Sequence, residues 1–593
     1  MKKILLALLF IVGAVPSAIA LDQKIVTRYS LDDSSVPNGV KGGRTVTDWR
    51  LQEIGPVVDL EFHDKSKDGV VWLGSKQGAA RYNPYEKHPW DRWQYFAGKR
   101  WLADDAIEKI WIDKKSVHET VWIRTATGVN RIEWKPISYA EKAAHYEALI
   151  EKYHLRHNFV SKILLDTPGD LSTSRTNDND NDGLWSAMYL VAQAYRYAAT
   201  KNLDARMKAR RTLDALIRLE EINPIPGFYS RSFKHISEPS PDADMWGKNA
   251  DETEWVWINT ETTLEDLCHI PNDWYEKEPG HWVQGANKGK KNIRHHGEWH
   301  LTPDKQWLWK GDTSSDETVG HYYAYGLYFD LVANDEEKKI IQDKVRLLTD
   351  TLIRDDYYLK DLNGIPTRWG NWNVSYFESY EGLYERALRS MELLSLLKVT
   401  YHITGDEKYQ QEYLKFVDMG LAHYTNEYRR WESAFSEVNF SDDELYYLSV
   451  QPLMMYEDDP TLRKIYLDGM RFAWGEIASD KNALWTYINA SCGIIEMNPR
   501  MLDDARRTLD RTPWEMIEWT VKNSYRIDFG QMPKKDRHGN GEFDRVIPVD
   551  ERAIHKHNAN PYQADAGRGG NAQETPTHWL LPYWMGRYHG YIE

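Results

Sequence analysis

Three acidic, hydroxyl-rich runs stand where helical patterns begin. They are Asn177-Asp178-Asn179-Asp180-Asn181-Asp182-Gly183-Leu184-Trp185, Lys310-Gly311-Asp312-Thr313-Ser314-Ser315-Asp316-Glu317, and Asn439-Phe440-Ser441-Asp442-Asp443-Glu444. Paired carboxyl groups on separate helices are the equipment of glycoside hydrolysis. That chemistry asks for a separation of about 5–5.5 Å for retention or about 6.5–9.5 Å for inversion. The plainer reading is capping. Ser-x-x-Glu is a capping box, and both Ser314/Glu317 and Ser441/Glu444 fit it. Acidic side chains also suit the positive end of a helix dipole. A cap needs one acceptor, however, and each run supplies several acids. Asp182, Asp316 and Asp442 are therefore expected to face a shared cavity, with Glu317 beside them.

A second chemistry is written on the same segments. Arg175, Tyr229, Arg231, His235, Lys310, His321, Arg368, Trp369 and Trp372 lie on or next to long loops. β-Elimination at a uronate needs a cation to neutralise the carboxylate and a base to remove the ring proton. Arg231, Lys310 and Arg368 supply the cations, with Arg175 nearby in sequence. His321, Tyr322 or Tyr229 supplies the proton transfer. His321 follows Glu317 by one helical turn and shares its face. The plainer role for these arginines is to neutralise the rim acids. The chain holds 26 Trp and 36 Tyr beside 14 Phe. Flat rings with polar edges stack on sugars, and Trp369, Trp372 and Tyr229 are placed for that, while most of the others serve as core.

Metal chemistry finds little footing. Counted from Asp178, the twelfth position of an EF-hand would be Tyr189 where a Glu is needed, which leaves only a loose oxygen site for calcium. His295, His296 and His300 lack further zinc ligands at short spacing. No phosphate loop or Gly-x-Ser-x-Gly elbow is present, so no cofactor is required. Cys268 and Cys492 permit one disulfide, and sequence does not bring them together.

The elements that must position these residues fall into three parts. Residues 1–20 read as a cleaved leader: Lys2 and Lys3, an apolar stretch from Ile4 to Val15, then Ser17-Ala18-Ile19-Ala20. Residues 21–136 read as a β module. Within it, Val71-Trp72-Leu73-Gly74 to Tyr82 repeats as Val121-Trp122-Ile123 to Ile132, in the manner of propeller blades. About two blades are visible, so a short accessory module is expected. Residues 137–593 are helical. Amphipathic segments start near Ala140, Leu203, Asp335, Asp406, Thr461 and Met501; nearly all-apolar ones start near Asp182, Ser315, Glu381, Ser441, Asn482 and Thr577. A helix apolar all round is buried, and one with a single wet face covers it. Roughly six of each is the arithmetic of an (α/α)6 toroid of alternating inner and outer helices; a helical solenoid or hairpin bundle is the plainer competitor. Joins from inner to outer helix are short and polar. Most returns are long, so long loops gather on one rim. Pro452 should kink one inner helix.

Charge and leader set the compartment. With 75 Lys+Arg against 90 Asp+Glu, the formal charge is −15 and the pI near 5.8. No basic excess exists to neutralise nucleic-acid phosphates, and no later stretch is apolar enough to span a membrane. The expectation is a secreted or periplasmic protein whose partner is a polysaccharide.

The motifs Asn181-Asp182-Gly183-Leu184-Trp185, Trp309-Lys310-Gly311-Asp312, Thr367-Arg368-Trp369-Gly370, Ser441-Asp442-Asp443-Glu444 and the closing Leu581-Pro582-Tyr583-Trp584-Met585-Gly586-Arg587-Tyr588 resemble secreted bacterial carbohydrate-active enzymes with an (α/α)6 toroid. They span roughly residues 140–590, and kinship to the ulvan lyases of marine bacteria is part of the resemblance. It implies a polysaccharide lyase acting on an anionic, uronate-containing polymer. One departure stands against it: many toroid lyases append a large β-sandwich after the toroid, whereas here the β module comes first. Two alternatives remain: a toroid glycoside hydrolase using the rim carboxyls, and a non-catalytic glycan-binding or sensor protein.

Overall fold

The computed structural model describes residues 20–40, 69–88, 91–176, 178–238, 299–362, 366–380, 382–430, 438–494, 499–526 and 539–592, with short stretches between them. Residues 1–19, which include all but the last residue of the expected leader, and Asn177, Cys268, His295 and His296 lie outside the described residues.

Two four-stranded antiparallel sheets open the chain. The first runs β2 (Asp59–Phe62), β3 (Val71–Ser75), β4 (Gly78–Tyr82) and β5 (Trp93–Phe96) in spatial as well as chain order. The second comprises β6 (Ile107–Ile112), β7 (Thr120–Thr125) and β8 (Val129–Ser138), closed at its edge by β1 (Ala20–Tyr29). The repeat seen in sequence is the β3–β4 hairpin and its counterpart β7–β8. Ser75 pairs with Gly78 in one, and Arg124 with Val129 in the other. Gly78 sits at φ 115°, and a Cβ there would stand 2.6 Å from the Phe96 carbonyl, so the tight turn excludes any larger residue. β1 pairs with β8 over ten residues, from Ala20↔Ser138 to Tyr29↔Val129. The sheets face each other over Trp72, Phe96, Trp101, Ile110, Ile123 and Trp134.

The rest is predominantly helical, with twelve helices of nine or more residues among the described residues. They are α1 (Tyr139–Leu149), α2 (Asp182–Thr200), α3 (Leu203–Glu221), α4 (Ser315–Leu331), α5 (Asp335–Arg354), α6 (Arg386–Thr404), α7 (Glu407–Asp418), α8 (Phe440–Tyr456), α9 (Pro460–Ile477), α10 (Ala483–Ser491), α11 (Pro499–Arg511) and α12 (Thr577–His589). Their starts agree with the amphipathic/apolar alternation to within about two residues, except α6, which begins five residues later than read. The even-numbered set is buried nearly all round, and the odd set has one wet face. The even helices form a circuit of contacts: α2 with α4, α4 with α6, α6 with α8, α8 with α10, α10 with α12, and α12 with α2. Odd helices pack outside their neighbours, as α3 does on α2 and α5 on α4 and α6.

Local sequence sets the joins. Asn202, Asn334 and Asp459 cap α3, α5 and α9, each accepting from first-turn amides. Pro452 lies inside α8 as expected, and Pro582 lies inside α12. Across the middle of the circuit, Tyr323 of α4 donates to Gln451 of α8 (2.9 Å), whose amide donates to Tyr195 of α2 (3.1 Å). These links join three of the even helices through buried side chains.

Candidate functional site

Residues from the first two turns of all six even helices meet. Lys556 Nζ lies 4.6 Å from the ring centre of Trp185, on α2. Trp185 packs edge-on against His578 of α12 (5.6 Å), His578 against His557 (5.0 Å), and His557 against Trp485 of α10 (5.4 Å). Lys556 and Glu574 act on Glu444 of α8, as does Asp316 of α4. Asp316 acts in turn on Glu392 of α6. Inner helices that start at one rim bring residues from six distant segments into one electrostatic cluster.

Glu444 is the unusual member. Its carboxyl is buried, Oε1 has no hydrogen-bond partner among the described residues, and no hydrogen bond caps α8 with it. The expected Ser441/Glu444 capping box is absent because Asn439 takes the cap, accepting from Ser441 N. Burial pushes the Glu444 carboxyl up to about 8; Lys556 opposes this, and the charges of Asp316 and Glu574 add to it. Asp316 is half-buried and accepts from Ser314 Oγ at 2.9 Å. A proton-holding acid thus feels the charge of a half-buried carboxyl group.

Around this pair the other acids are fixed. Glu317 forms the capping box read from sequence, with Ser314 N at 3.1 Å from Oε2; burial raises it to about 8 against the opposing charge of Arg231. Glu392 accepts from Trp372 Nε1 (2.7 Å) and Arg389 (2.9 Å), and burial still raises it. Lys162 joins Glu518 to Glu574, with its Nζ 2.9 Å from Glu574. Burial raises Glu518 to about 7, with Glu574 adding to the shift; Glu574 is held lower by Lys556 and Lys162. The Lys310–Ser314 loop that feeds α4 is tightly built. Asp312 adopts φ 50°, and a Cβ on Gly311 would stand 2.5 Å from Asp361 Oδ2.

Several expected site residues are placed otherwise. Asp182 does not face a cavity: it is fully buried, pairs with Arg156 at 2.6 Å, and accepts from Ser161, from Ser232 (3.1 Å) and from Asn179 N (3.1 Å). That network ties the start of α2 to two loops. His321 is sealed in the core. Nδ1 lies 2.6 Å from the Glu317 carbonyl and Nε2 3.4 Å from the Leu216 carbonyl, and burial lowers the ring to about 4, so it stays neutral. Tyr229 stacks on it at 4.5 Å, equally buried. Tyr322 points outward to Thr349 of α5 (2.8 Å). None of these three reaches solvent, because α4 is apolar nearly all round and its second turn already faces α3 and α5. Trp372 is likewise buried and serves Glu392 rather than a sugar.

The cations mostly follow their plainer role. Arg231 is buried against Asp180, Asn181, Asp312 and Glu317, and Lys310 pairs with Asp180. Arg175 is exposed on a short strand, 3.0 Å from Asp166. Arg368 and Trp369 lie on the strand Pro366–Asn371; Trp369 is half-buried, and the Arg368 side chain lies outside the described residues. Asp442 is half-buried, accepts from Asn439 Nδ2 (2.8 Å), and acts on Arg389. Sequence reasoning treated Glu444 only as a cap and passed over Glu392, Glu518, Glu574, Lys162, Lys556 and His578. Glu444 was legible as the last acid of its run. The others carry no local signal, since their partners stand on other segments. Among the described residues, no group of three or more His, Cys, Asp or Glu is arranged to hold a metal ion, and no helix is long and apolar enough to cross a membrane.

No family model matches the chain, and no curated protein does. Among solved structures, a single-mutant thermostable endoglucanase from Alicyclobacillus acidocaldarius is similar over 89% of this chain and 97% of its own, at 10% identity and a TM-score of 0.40. A likeness that slight carries no argument about fold or activity.

Proposed function

We propose that the chain is an exported carbohydrate-active enzyme, an (α/α)6 toroid behind a short β module, that hydrolyses a glycosidic bond at the rim. The closed circuit of six inner helices supports the toroid. The observation that carries the chemistry is Glu444: a buried carboxyl raised to about 8, whose Oε1 has no partner among the described residues, with the charge of half-buried Asp316 adding to the rise. Glu444 is the proton donor, and Asp316 is the partner carboxyl on the opposite side of the bond. The rim carries more carboxyl groups than cations, and Arg231 and Lys310 are already paired, so a neutral polysaccharide fits better than an ulvan-like polyanion. β-Elimination asks for an accessible His or Tyr base, and His321, Tyr322 and Tyr229 are enclosed.

The test is digestion of neutral glucans, xylans and mannans beside uronate polymers, reading both reducing ends and the ultraviolet absorbance of unsaturated uronate. New reducing ends without that absorbance are expected, and they should disappear in Glu444→Gln and Asp316→Asn. Absorbance that persists in Glu444→Gln would establish elimination instead. Binding without cleavage would establish a sensor. N-terminal sequencing of exported protein should find Leu21 first; a retained leader would count against export.

A further inference from the structure

Apart from the rim cluster, a cleft of about 260 Å³ opens between α11, the turn that ends at Lys481 and the loop 544–552. It is smaller than most small-molecule sites, which run to about 300–1,000 Å³, so it suits a compact group rather than a stretch of polymer. Its lining is basic, although the chain carries a formal charge of −15. Arg500, Arg507 and Arg511 share one face of α11 by their spacing, and Lys481, Arg545 and Arg552 come from the other walls. Three acids line the cleft with them: Asp91, Asp504 and Asp544.

The acids do not cancel this charge. Asp91 accepts from Arg507 and from Arg511 (2.9 Å), and Asp504 accepts from Arg507. Asp544 is exposed and has no cation at ion-pair distance among the described residues. Behind the lining, Asp550 and Glu551 hold Arg511, but Lys24 and Arg526 pair with the same two carboxylates. Asp480 acts on Arg552 from a distance, and burial pushes its carboxyl up to about 7, so only part of it is charged at neutral pH. Two cations keep donors to spare. Lys481 is half-buried, and its Nζ makes no hydrogen bond or ion pair among the described residues. Arg552 is also half-buried; its Nε donates to the Ile547 carbonyl (2.6 Å), and its two Nη atoms have no partner among the described residues. None of these three nitrogens is sealed off from the cleft. Burial lowers Lys481, and the charges of Arg507 and Arg500 add to the shift against Asp504 and Asp91. Burial lowers Arg552 to about 10 against Asp480 and Asp550. Crowded cations short of counter-charge are the complement of an anion. The place is firmly built: Lys481 adopts φ 53°, and its carbonyl accepts from Thr508 of α11 (2.8 Å). Lys481 and Arg552 also line a smaller cavity of about 50 Å³ that runs to Lys556, His557 and His578 of the rim cluster.

We propose that this cleft is an oxyanion site that takes one phosphate, sulfate or carboxylate group on donors from Lys481 and Arg552. The group is either a free ion or a charged substituent on a carbohydrate that reaches the rim; the chemistry of recognition is the same. A polymer that is neutral at the rim can bring one such substituent here. The site does not depend on the catalytic reading of Glu444.

The full chain is titrated calorimetrically with inorganic phosphate at constant ionic strength in chloride. The chain bearing Glu444→Gln, so that cleavage does not consume the probe, is titrated with tetragalacturonate. Saturable binding is expected, and Lys481→Gln should weaken it about tenfold or more, the worth of one hydrogen bond to a charged group. Tetragalacturonate that binds more tightly than phosphate and is displaced by it assigns the site to a carbohydrate substituent; binding of phosphate alone assigns it to a free ion. Failure of both probes to bind, or binding unchanged in Lys481→Gln and in Arg552→Gln, would overturn the proposal. Hydrogen exchange needs no altered cleft. Bound probe should protect residues 479–482 and 546–552; protection confined to residues 315–320 and 440–446 would also overturn it. Failure of the rim reading shows separately, as cleavage by Glu444→Gln.

Discussion

At the scale of single residues, burial decides which carboxyl holds a proton. Glu444 is raised to about 8 chiefly by burial, so as a proton donor it works only below that pH. Activity should fall as pH rises through about 8, and Glu444→Gln should lower kcat by roughly 10²–10⁴-fold; a flat profile across that range would remove Glu444 from the mechanism. The same shift bears on stability. Glu317 and Glu444 keep their protons in the folded chain up to about 8, whereas the unfolded groups lose theirs near 4.5. The folded state binds more protons between those values, so stability declines as pH rises through the interval. Melting temperature against pH should show that decline, and Glu444→Gln should flatten it. Trp372 belongs to the same scale. Trp372→Phe removes the donor to Glu392 Oε2 and should cost about 1–3 kcal/mol in denaturant unfolding. Carbohydrate affinity should not change, which separates a core role from stacking on sugar.

At the scale of elements, helices are placed by caps at their ends and by polar links across the circuit. Asn334 and Glu337 close a reciprocal box at the start of α5. Asn334→Ala should cost about 1 kcal/mol in urea unfolding, with no effect on the rim, because α5 lies outside the circuit. Gln451 joins α8 to α4 and α2 through two tyrosines. Gln451→Ala leaves both hydroxyls unpartnered and opens a void, so a loss of about 2–5 kcal/mol is expected. A loss under 1 kcal/mol would mean that the middle of the circuit is not closed as described.

At the scale of the whole molecule, the β module and the helices share a buried ionic junction. Asp550 pairs with Lys24 of β1 and Arg511 of α11, and its backbone carbonyl accepts from Arg100 and Trp101. Although burial opposes ionisation, Arg511 and Lys24 together hold the Asp550 carboxyl well below the usual range. A depressed folded pKa contributes stability that is present above the unfolded value and is lost as pH falls below it. The junction should therefore weaken in acid below about pH 4. Asp550→Ala strands the buried Lys24 and takes one of three carboxylate partners from Arg511, and a cost of about 3–5 kcal/mol is expected. In calorimetry the single transition should split into separate β-module and helical transitions; an unsplit, unshifted transition would show that the two parts are held by other contacts.

Much of this architecture is local and was legible as such. Alternating amphipathic and apolar segments and the Val-Trp hairpin repeat are near-neighbour patterns, and they agree with the helix starts and the two hairpins to within a few residues. The net charge is also a property of the chain alone. What the chain could not show is which polar residues meet. Asp182 and Glu444 each close an acidic run at a helix start. Tertiary packing gave Asp182 four partners and Glu444 Oε1 none, which makes one an anchor and the other an acid. His321 and Tyr322 had the right chemistry for a base, yet they face outer helices, because a helix apolar all round buries every side, and Tyr229 is buried on the His321 ring. Glu574, Lys162 and Lys556 reach the rim only through chain closure, so nothing in their neighbourhoods announces them. Residue types and helical period are set by sequence neighbours. Desolvation and charge pairing depend on distances in space, and those decided which rim acids are free for chemistry.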